Sequence, residues 1–149
     1  MSTQATQRAA SRRIGAVDVR GPRFGAAVTS VVLAVVLITG SAWLLAAQTL
    51  VFALGAALGV ARSPYGRLFQ AVVRPRLGPV ERTEDPAPPR FAQTVGLVFA
   101  AIGLVGYVAG PLWLGMAATG LALAAAFLNA AFGYCLGCET YVLLLRATR

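Results

Sequence analysis

Histidine and lysine are both absent from this sequence of 149 residues, and all 13 of its cationic residues are arginine. Charged residues make up only 12% of the chain, whereas a soluble domain ordinarily carries about 25%. Apolar residues make up 58%. The scarcity of charge argues against an ordinary soluble domain and favours a membrane protein.

Ionisable side chains are almost absent from the long apolar segments. Arg23, at the edge of the first segment, is the one exception in the sequence. Proton-coupled transporters and ion pathways normally carry ionisable groups inside the membrane, so both functions are disfavoured. Polar groups are also scarce there, which disfavours a small-solute carrier. The amides of Gln48 and Asn129 are expected to form hydrogen bonds between helices.

Four apolar segments have the length of membrane-spanning helices. They cover residues 22–39, 42–61, 91–109 and 112–132. At 1.5 Å per residue, about 20 residues cross a hydrocarbon core of about 30 Å. Two adjoining segments would make a helix about twice that long, so the chain must turn at Gly40-Ser41 and again at Gly110-Pro111. The sequence therefore predicts an all-α membrane protein with four transmembrane helices in two hairpins.

Arginine marks the regions outside the predicted spans. It occurs in the N-terminal arm, in the loop between the hairpins and at the C-terminal end, whereas both hairpin turns are uncharged. Cytoplasmic loops are enriched in Lys and Arg, so the pattern predicts a multi-pass protein of the inner (plasma) membrane with both termini cytoplasmic. Because the arginines flank apolar segments, the expected partner is the lipid bilayer and not nucleic acid.

Two regions outside the spans, residues 1–17 and 64–74, have distinct predicted structures. Residues 1–17 lack the apolar core of a signal peptide and are expected to form a disordered basic arm ahead of a membrane domain at 18–149. Residues 64–74 place their apolar side chains on one helical face. Ser63 supplies a cap and Pro64 a first-turn proline. This helix is too short to span, so we expect it on the cytoplasmic membrane surface; the alternative is a helix packed under the bundle.

A short motif occurs at the entrance of each predicted hairpin. Asp18 to Phe24 and Asp85 to Phe91 share the pattern D-x-x-x-P-R-F. The motif predicts that the two hairpins are parallel repeats related by an axis along the membrane normal. In each copy we expect the proline to open the helix, the arginine to reach the membrane boundary, and the aspartate to pair with an arginine near the positive helix end.

Cys135 and Cys138 are the only cysteines of the chain. The predicted topology puts them at the cytoplasmic boundary, where a permanent structural disulfide is not expected. Their C-x-x-C spacing suits a catalytic redox pair, in which one thiolate attacks a disulfide and the other resolves the product. A short helix from Glu139 to Arg146 is predicted to begin beside them. Cys138 would then lie at a positive helix end, which lowers the pKa of a thiol.

Two other interpretations of the cysteine pair stay open. Both residues are small and soft enough to serve only as packing groups at a crowded helix end. The protein would then be a structural or accessory membrane subunit without catalytic activity. A zinc site usually needs about four ligands, and the chain has no histidine and no second C-x-x-C, so it would require Glu139 or a second chain. No cofactor is predicted, and whether the protein is an enzyme stays open.

Several stretches together resemble a bacterial membrane family common in actinobacteria. They are VDVRGPRFGAAVT, RSPYGRLFQAVVRPRLGP, EDPAPPRFAQTVGL and AFLNAAFGYCLGCETY. The family is the domain of unknown function 4395 family, and the resemblance covers residues 16–147. It implies no established activity. It does imply an association with thioredoxin-like or rhodanese-like domains, and so a thiol- or sulfur-handling role for Cys135 and Cys138 with a separate partner protein of that kind.

Overall fold

The α-helices of the protein account for most of the residues that the computed structural model describes, which are 17–80 and 82–148. In chain order they are α1 (Arg20–Thr39), α2 (Ala42–Leu58), α3 (Pro64–Leu68), α4 (Ala87–Val108), α5 (Leu112–Phe132) and α6 (Leu136–Ala147). A 3₁₀ turn (Val60–Arg62) precedes α3, which continues as a π-helical turn (Phe69–Val73) and a second 3₁₀ turn (Arg74–Arg76). Two short strands, β1 (Val17–Asp18) and β2 (Thr83–Glu84), pair in antiparallel register.

Three of these helices, α1, α4 and α5, are long and apolar enough to cross a membrane. Helix α2 is also apolar but shorter, with 17 residues. Large apolar side chains face outward, for example Ile38, which is 83% exposed, and Val31, which is 65% exposed. Apolar surface of this kind suits contact with lipid, because lipid tails are as apolar as these side chains. The chain is therefore an all-α membrane protein.

Helices α1, α2, α4 and α5 form a bundle, in which α1 and α2 each pack mainly on a helix of the second pair. Helix α1 packs mainly on α5, and α2 packs mainly on α4, while α1 and α2 contact each other much less. Helices α4 and α5 also pack closely along their hairpin. Their approach depends on glycine, because a Cβ on Gly106 would lie 2.7 Å from the Cα of Gly115. Small residues allow membrane helices to approach in this way.

The centre of the bundle is a small apolar core with one polar connection. The core residues are Leu33, Val36, Leu45, Phe52, Ala100 and Ala122. Beside it, Gln48 is 1% exposed, accepts a hydrogen bond of 2.5 Å from the Tyr65 hydroxyl and donates one of 3.5 Å to Thr29. The prediction that Gln48 bonds between helices is confirmed. Tyr65 lies in α3, so this connection also fastens α3 to the bundle.

Helix bounds differ from the predicted spans where glycine and proline decide the ends. Helix α2 ends at Leu58, three residues before the predicted 61, because Gly59 leaves the helix with a φ of 94°. Helix α4 begins at Ala87, four residues before the predicted 91, since prolines suit the first turn of a helix. Helix α5 occupies the predicted range 112–132. The predicted basic arm, 1–17, lies outside the described residues except for Val17, which belongs to β1.

The segment 64–74 packs partly under the bundle, which was the alternative expectation for it. Phe69 is 3% exposed, and its ring centroid lies 5.8 Å from that of Phe24 in α1, so one side of the segment packs under the bundle. Leu68 and Val72 remain about half exposed on the other side. Ser63 caps α3 as predicted, because its hydroxyl oxygen accepts the Gly66 amide at 3.2 Å.

Candidate functional site

The candidate site begins where α5 ends. Gly133 has a φ of 69°, in the left-handed region that favours glycine, and its amide donates to the carbonyl of Asn129. This conformation ends the helix and redirects the chain. Cys135 follows two residues later, between the end of α5 and the start of α6.

Cys135 is the N-cap residue of α6. Its backbone is extended, with φ −92° and ψ 106°, and its Sγ accepts a hydrogen bond of 3.1 Å from the amide of Cys138. The predicted start of this helix at Glu139 is wrong, because α6 begins at Leu136. The sulfur that faces the unpaired amides of the first turn is therefore that of Cys135. Cys138 lies one turn into the helix.

The two cysteines are joined by a disulfide, and their Cα atoms lie 5.1 Å apart. One helical turn after an N-cap brings side chains at this spacing together, so the bond needs no distant partner. The structure thus describes the pair in its oxidised state. Both cysteines are partly exposed, so the sulfurs are not sealed inside the bundle.

Helix α6 is held against the start of α4 by a close backbone contact and an aromatic pair. A Cβ on Gly137 would lie 2.6 Å from the Cα and Cβ of Ala92. The rings of Phe91 and Tyr141 lie 5.6 Å apart. Gly137, one of the two residues between the cysteines, therefore allows the pair to sit directly on α4. No residue of α6 is fully buried among those described, and the side chains of 142–145 are exposed apolar groups.

Arg23 lies at the same end of the bundle. Its guanidinium donates to the carbonyl oxygens of Ala130 and Ala131 at 3.2 and 3.4 Å, and it lies 3.8 Å from the position of a Cβ on Gly133. The last carbonyls of a helix have no partner inside the helix and carry partial negative charge. Arg23 thus neutralises the end of α5, three residues before Cys135.

The end of α2, in the first half of the chain, has a matching set of contacts. Arg90 donates to the carbonyl oxygens of Ala56 and Ala57 at the end of α2, at 2.6 and 2.7 Å. Each arginine of the repeated motif therefore caps the second helix of the other hairpin. Arg23 in α1 bonds the end of α5, and Arg90 in α4 bonds the end of α2. The aromatic pair Phe24–Phe69 likewise corresponds to Phe91–Tyr141.

The aspartates of the motif also behave alike at their helix starts. Asp18 accepts the amide of Arg20 at 3.1 Å, and Asp85 accepts the amide of Ala87 at 2.8 Å. Asp18 in addition forms the predicted ion pair with Arg20 at 2.9 Å. Burial of Asp18 acts to raise its pKa, but the hydrogen bonds and charge of Arg20, with the charge of Arg74, lower the pKa below its ordinary value.

Comparison with known protein families identifies the family of this chain. The family model described as "Domain of unknown function (DUF4395)" matches residues 17–146. The chain belongs to this family. The resemblance seen in the sequence is thereby confirmed. No curated protein and no solved structure matches the chain.

In this member of the DUF4395 family, the residues that the structure describes do not assemble ligands for a metal ion. Among residues 17–80 and 82–148, no group of three His, Cys, Asp or Glu side chains is placed to hold a metal ion. Glu139 therefore does not complete a three-ligand set with the two cysteines.

The sequence located the cysteine pair but did not identify all the residues that position it. Gly133 and Gly137 are visible signals, because glycine marks a helix end or a close approach. Arg23 and Ala92 carry no local signal of a role at the pair, since both reach it only through packing between helices that are distant in the chain.

Proposed function

We propose that this membrane protein performs thiol–disulfide exchange at Cys135 and Cys138, with a thioredoxin-like or rhodanese-like protein as its partner. The observation that carries the proposal is the position of Cys135 as the N-cap of α6, with its sulfur facing the amide of Cys138 and bonded to the sulfur of Cys138. A helix N-terminus stabilises negative charge and lowers the pKa of a thiol. Partial exposure leaves the pair open to attack.

The exchange follows from the reduced pair. The Cys135 thiolate attacks a sulfur of the partner's disulfide, forms a mixed disulfide and releases one partner thiolate. The Cys138 thiolate then attacks the Cys135 sulfur and releases the second partner thiolate. Two electrons pass to the partner, and the Cys135–Cys138 disulfide is formed. A dithiol protein of the same class reduces it again by the reverse steps.

The membrane arrangement proposed for this chemistry has four spans, with α2 as the fourth alongside α1, α4 and α5. Its 17 residues fall at the lower end of the range that crosses a bilayer, about 17 to 25. All charged residues that the structure describes precede α1, lie in the first turns of α1 and α4, or lie in the segments 60–86 and 136–147. These regions meet at one end of the bundle, which supports cytoplasmic termini in the inner membrane.

Duplication of one unit explains the pairwise contacts. Asp18 and Asp85, Arg23 and Arg90, and the two aromatic pairs occupy corresponding places in the two halves. Such correspondence is expected of parallel repeats related by an axis along the membrane normal. On this basis we propose that each half comprises a motif, a helical hairpin and a short helix at the membrane surface.

A structural or accessory subunit is the second candidate, and one observation favours it. Ser63 caps α3 with the same hydrogen bond that Cys135 makes at α6. A cap alone therefore requires no chemistry. In this case the disulfide would only fix the first turn of α6.

Trapping of a mixed disulfide tests the proposal. The purified protein is reduced and mixed with an oxidised thioredoxin, and the products are separated without reductant. We expect Cys138→Ser to accumulate the mixed disulfide, Cys135→Ser to form none, and the wild type to reduce the thioredoxin. Ser63→Ala is the matched control and should exchange as the wild type does. Equal exchange by the wild type and by the double variant, in which both Cys135 and Cys138 are replaced with Ser, would refute the role of the pair. No exchange by any form would favour the accessory subunit.

Topology is tested separately by reporter fusions. A cytoplasmic reporter should be active when it is joined after residue 149 or within the loop near Gly78. A periplasmic reporter should be active in the turn at Gly110-Pro111. The opposite pattern would overturn the proposed orientation, and with it the expectation of a reducing compartment around the pair.

A further inference from the structure

We infer that Arg23, from the first half of the chain, is a positioning residue that lowers the pKa of the Cys135 thiol in the second half. The inference rests on the proposed function for its biological meaning, but it concerns a property of the reduced protein that is measured without any partner. It assigns a role at the cysteine pair to a residue that is 112 positions away in the sequence.

Two helix ends with opposite charge flank Cys135. The C-terminal end of α5 presents negative partial charge three residues before it, and the N-terminal end of α6 presents positive partial charge directly to its sulfur. The first of these destabilises a thiolate and the second stabilises it. The balance decides whether Cys135 is reactive near neutral pH.

Arg23 changes this balance because of where its guanidinium is fixed. Two hydrogen bonds hold it on the last carbonyls of α5, and its Nε, Cζ and Nη1 lie within 3.8 to 3.9 Å of a Cβ position on Gly133. It therefore cancels the negative helix end and adds a full positive charge beside the connection to Cys135. A nearby cation favours the thiolate.

Other charged groups around α6 do not duplicate this effect. Glu139 follows Cys138 on α6 itself and opposes a thiolate. On α4, which packs against α6, Arg90 is engaged by the carbonyls of α2. Asp85, ahead of α4, accepts the amide of Ala87, and Arg146 lies near the far end of α6. Tyr134 precedes the pair and Tyr141 packs on Phe91.

Arg90 is a matched control that the chain itself supplies. It makes the same pair of hydrogen bonds at the end of α2, but the cap residue that follows there is Ser63. Loss of either arginine exposes two helix-terminal carbonyls, so both variants should lose similar stability. Only loss of Arg23 should alter the cysteine.

The experiment measures the pH dependence of Cys135 alkylation. The Cys138→Ala background leaves Cys135 as the one thiol, and iodoacetamide reacts with its thiolate. Adding Arg23→Gln should raise the midpoint of the rate profile by about 0.5 pH unit, a size expected for a partly screened charge. Arg23→Lys should keep most of the wild-type midpoint, and Arg90→Gln should keep all of it. Equal midpoints for Arg23→Gln and Arg90→Gln would overturn the inference.

A second measurement covers the case in which Arg23→Gln does not fold. Added salt screens an exposed guanidinium, so the midpoint of the Cys138→Ala protein should rise with ionic strength, and a midpoint that does not change would overturn the inference. The exchange reaction is scored apart from these profiles. A midpoint shift without exchange would leave the role of Arg23 intact and remove the proposed function, and exchange without a shift would do the reverse.

Discussion

The segments Ser63 to Gly66 and Cys135 to Cys138 each begin a short helix, and they share one hydrogen bond. In each, the side chain of the first residue accepts the amide of the fourth, at 3.2 Å in the first half and 3.1 Å in the second. The cap is therefore a requirement of the short helix, and either serine or cysteine meets it. The cap does not explain Cys138, whose backbone alone takes part.

The two short helices also differ in how they are held. Helix α3 is fastened by the buried connection from Tyr65 to Gln48, and the segment that continues it buries Phe69. Helix α6 rests on α4 and buries no residue fully among those described. The same position thus serves as an anchor in the first half and as an accessible sulfur pair in the second. This contrast favours chemistry over packing for the cysteines.

The largest expected effect comes from placing a side chain at Gly66. A Cβ there would collide with the carbonyl oxygen of Val60, whereas the equivalent Cys138 already carries one. We expect Gly66→Ala to destabilise the protein by about 3 kcal/mol or more, or to prevent its accumulation, because the obstacle is backbone. Thermal unfolding in detergent, followed by circular dichroism, measures this. Cys138→Ala is the control, and similar losses in the two variants would break the comparison.

A smaller effect is expected from the anchor of α3. Gln48→Leu removes the acceptor of the Tyr65 hydroxyl and should lower the free energy of unfolding by about 1 to 2 kcal/mol. Hydrogen exchange of the α3 amides should also become faster. Thr49→Val is the control, since the Thr49 hydroxyl donates within its own helix to Leu45. An unchanged exchange rate for α3 would mean that this hydrogen bond does not hold the helix.

The caps themselves should differ in strength. Ser63→Ala should cost about 1 kcal/mol, the usual loss for a hydroxyl cap. Cys135→Ala in the reduced protein should cost less, because sulfur is a weak acceptor. Both are compared by thermal unfolding under reducing conditions. A larger loss at Cys135 would assign it a structural role and weaken the contrast between the halves.

The smallest effect concerns the motif aspartates and depends on pH. The pKa of Asp18 is lowered from 3.8, so its stabilising contribution is present above that value and is lost as the pH falls through the folded-state pKa. Asp18→Asn should therefore lower the unfolding midpoint slightly at pH 7, and this effect should shrink as the pH falls below 3.8. Asp85→Asn is the matched variant in the second half. A loss from Asp18→Asn that persists in acid would show that the ion pair with Arg20 is not its cause.

The features that the sequence predicted are those with local signals. Apolar runs located the long helices, and the repeated motif predicted the ion pair of Asp18 with Arg20. Asp85 instead accepts a backbone amide, that of Ala87. The start of α6 was misplaced because cysteine is not among the usual N-cap residues. The predicted end of α2 lies three residues too late, because the conformation of Gly59 depends on the turn that follows. The contacts of Arg23 and Arg90 join helices that are distant in the chain, so no local pattern reveals them.

The reciprocal placement of Arg23 and Arg90 has a consequence for the history of the chain. Each half supplies the cation that closes the other, so a single half would leave bare carbonyls at the boundary of the bilayer. A protein of half this length would need a second copy of itself to supply the missing guanidinium. On the proposed duplication, the ancestor of the chain would have been a homodimer of one half, and the second copy would later have exchanged its serine cap for Cys135.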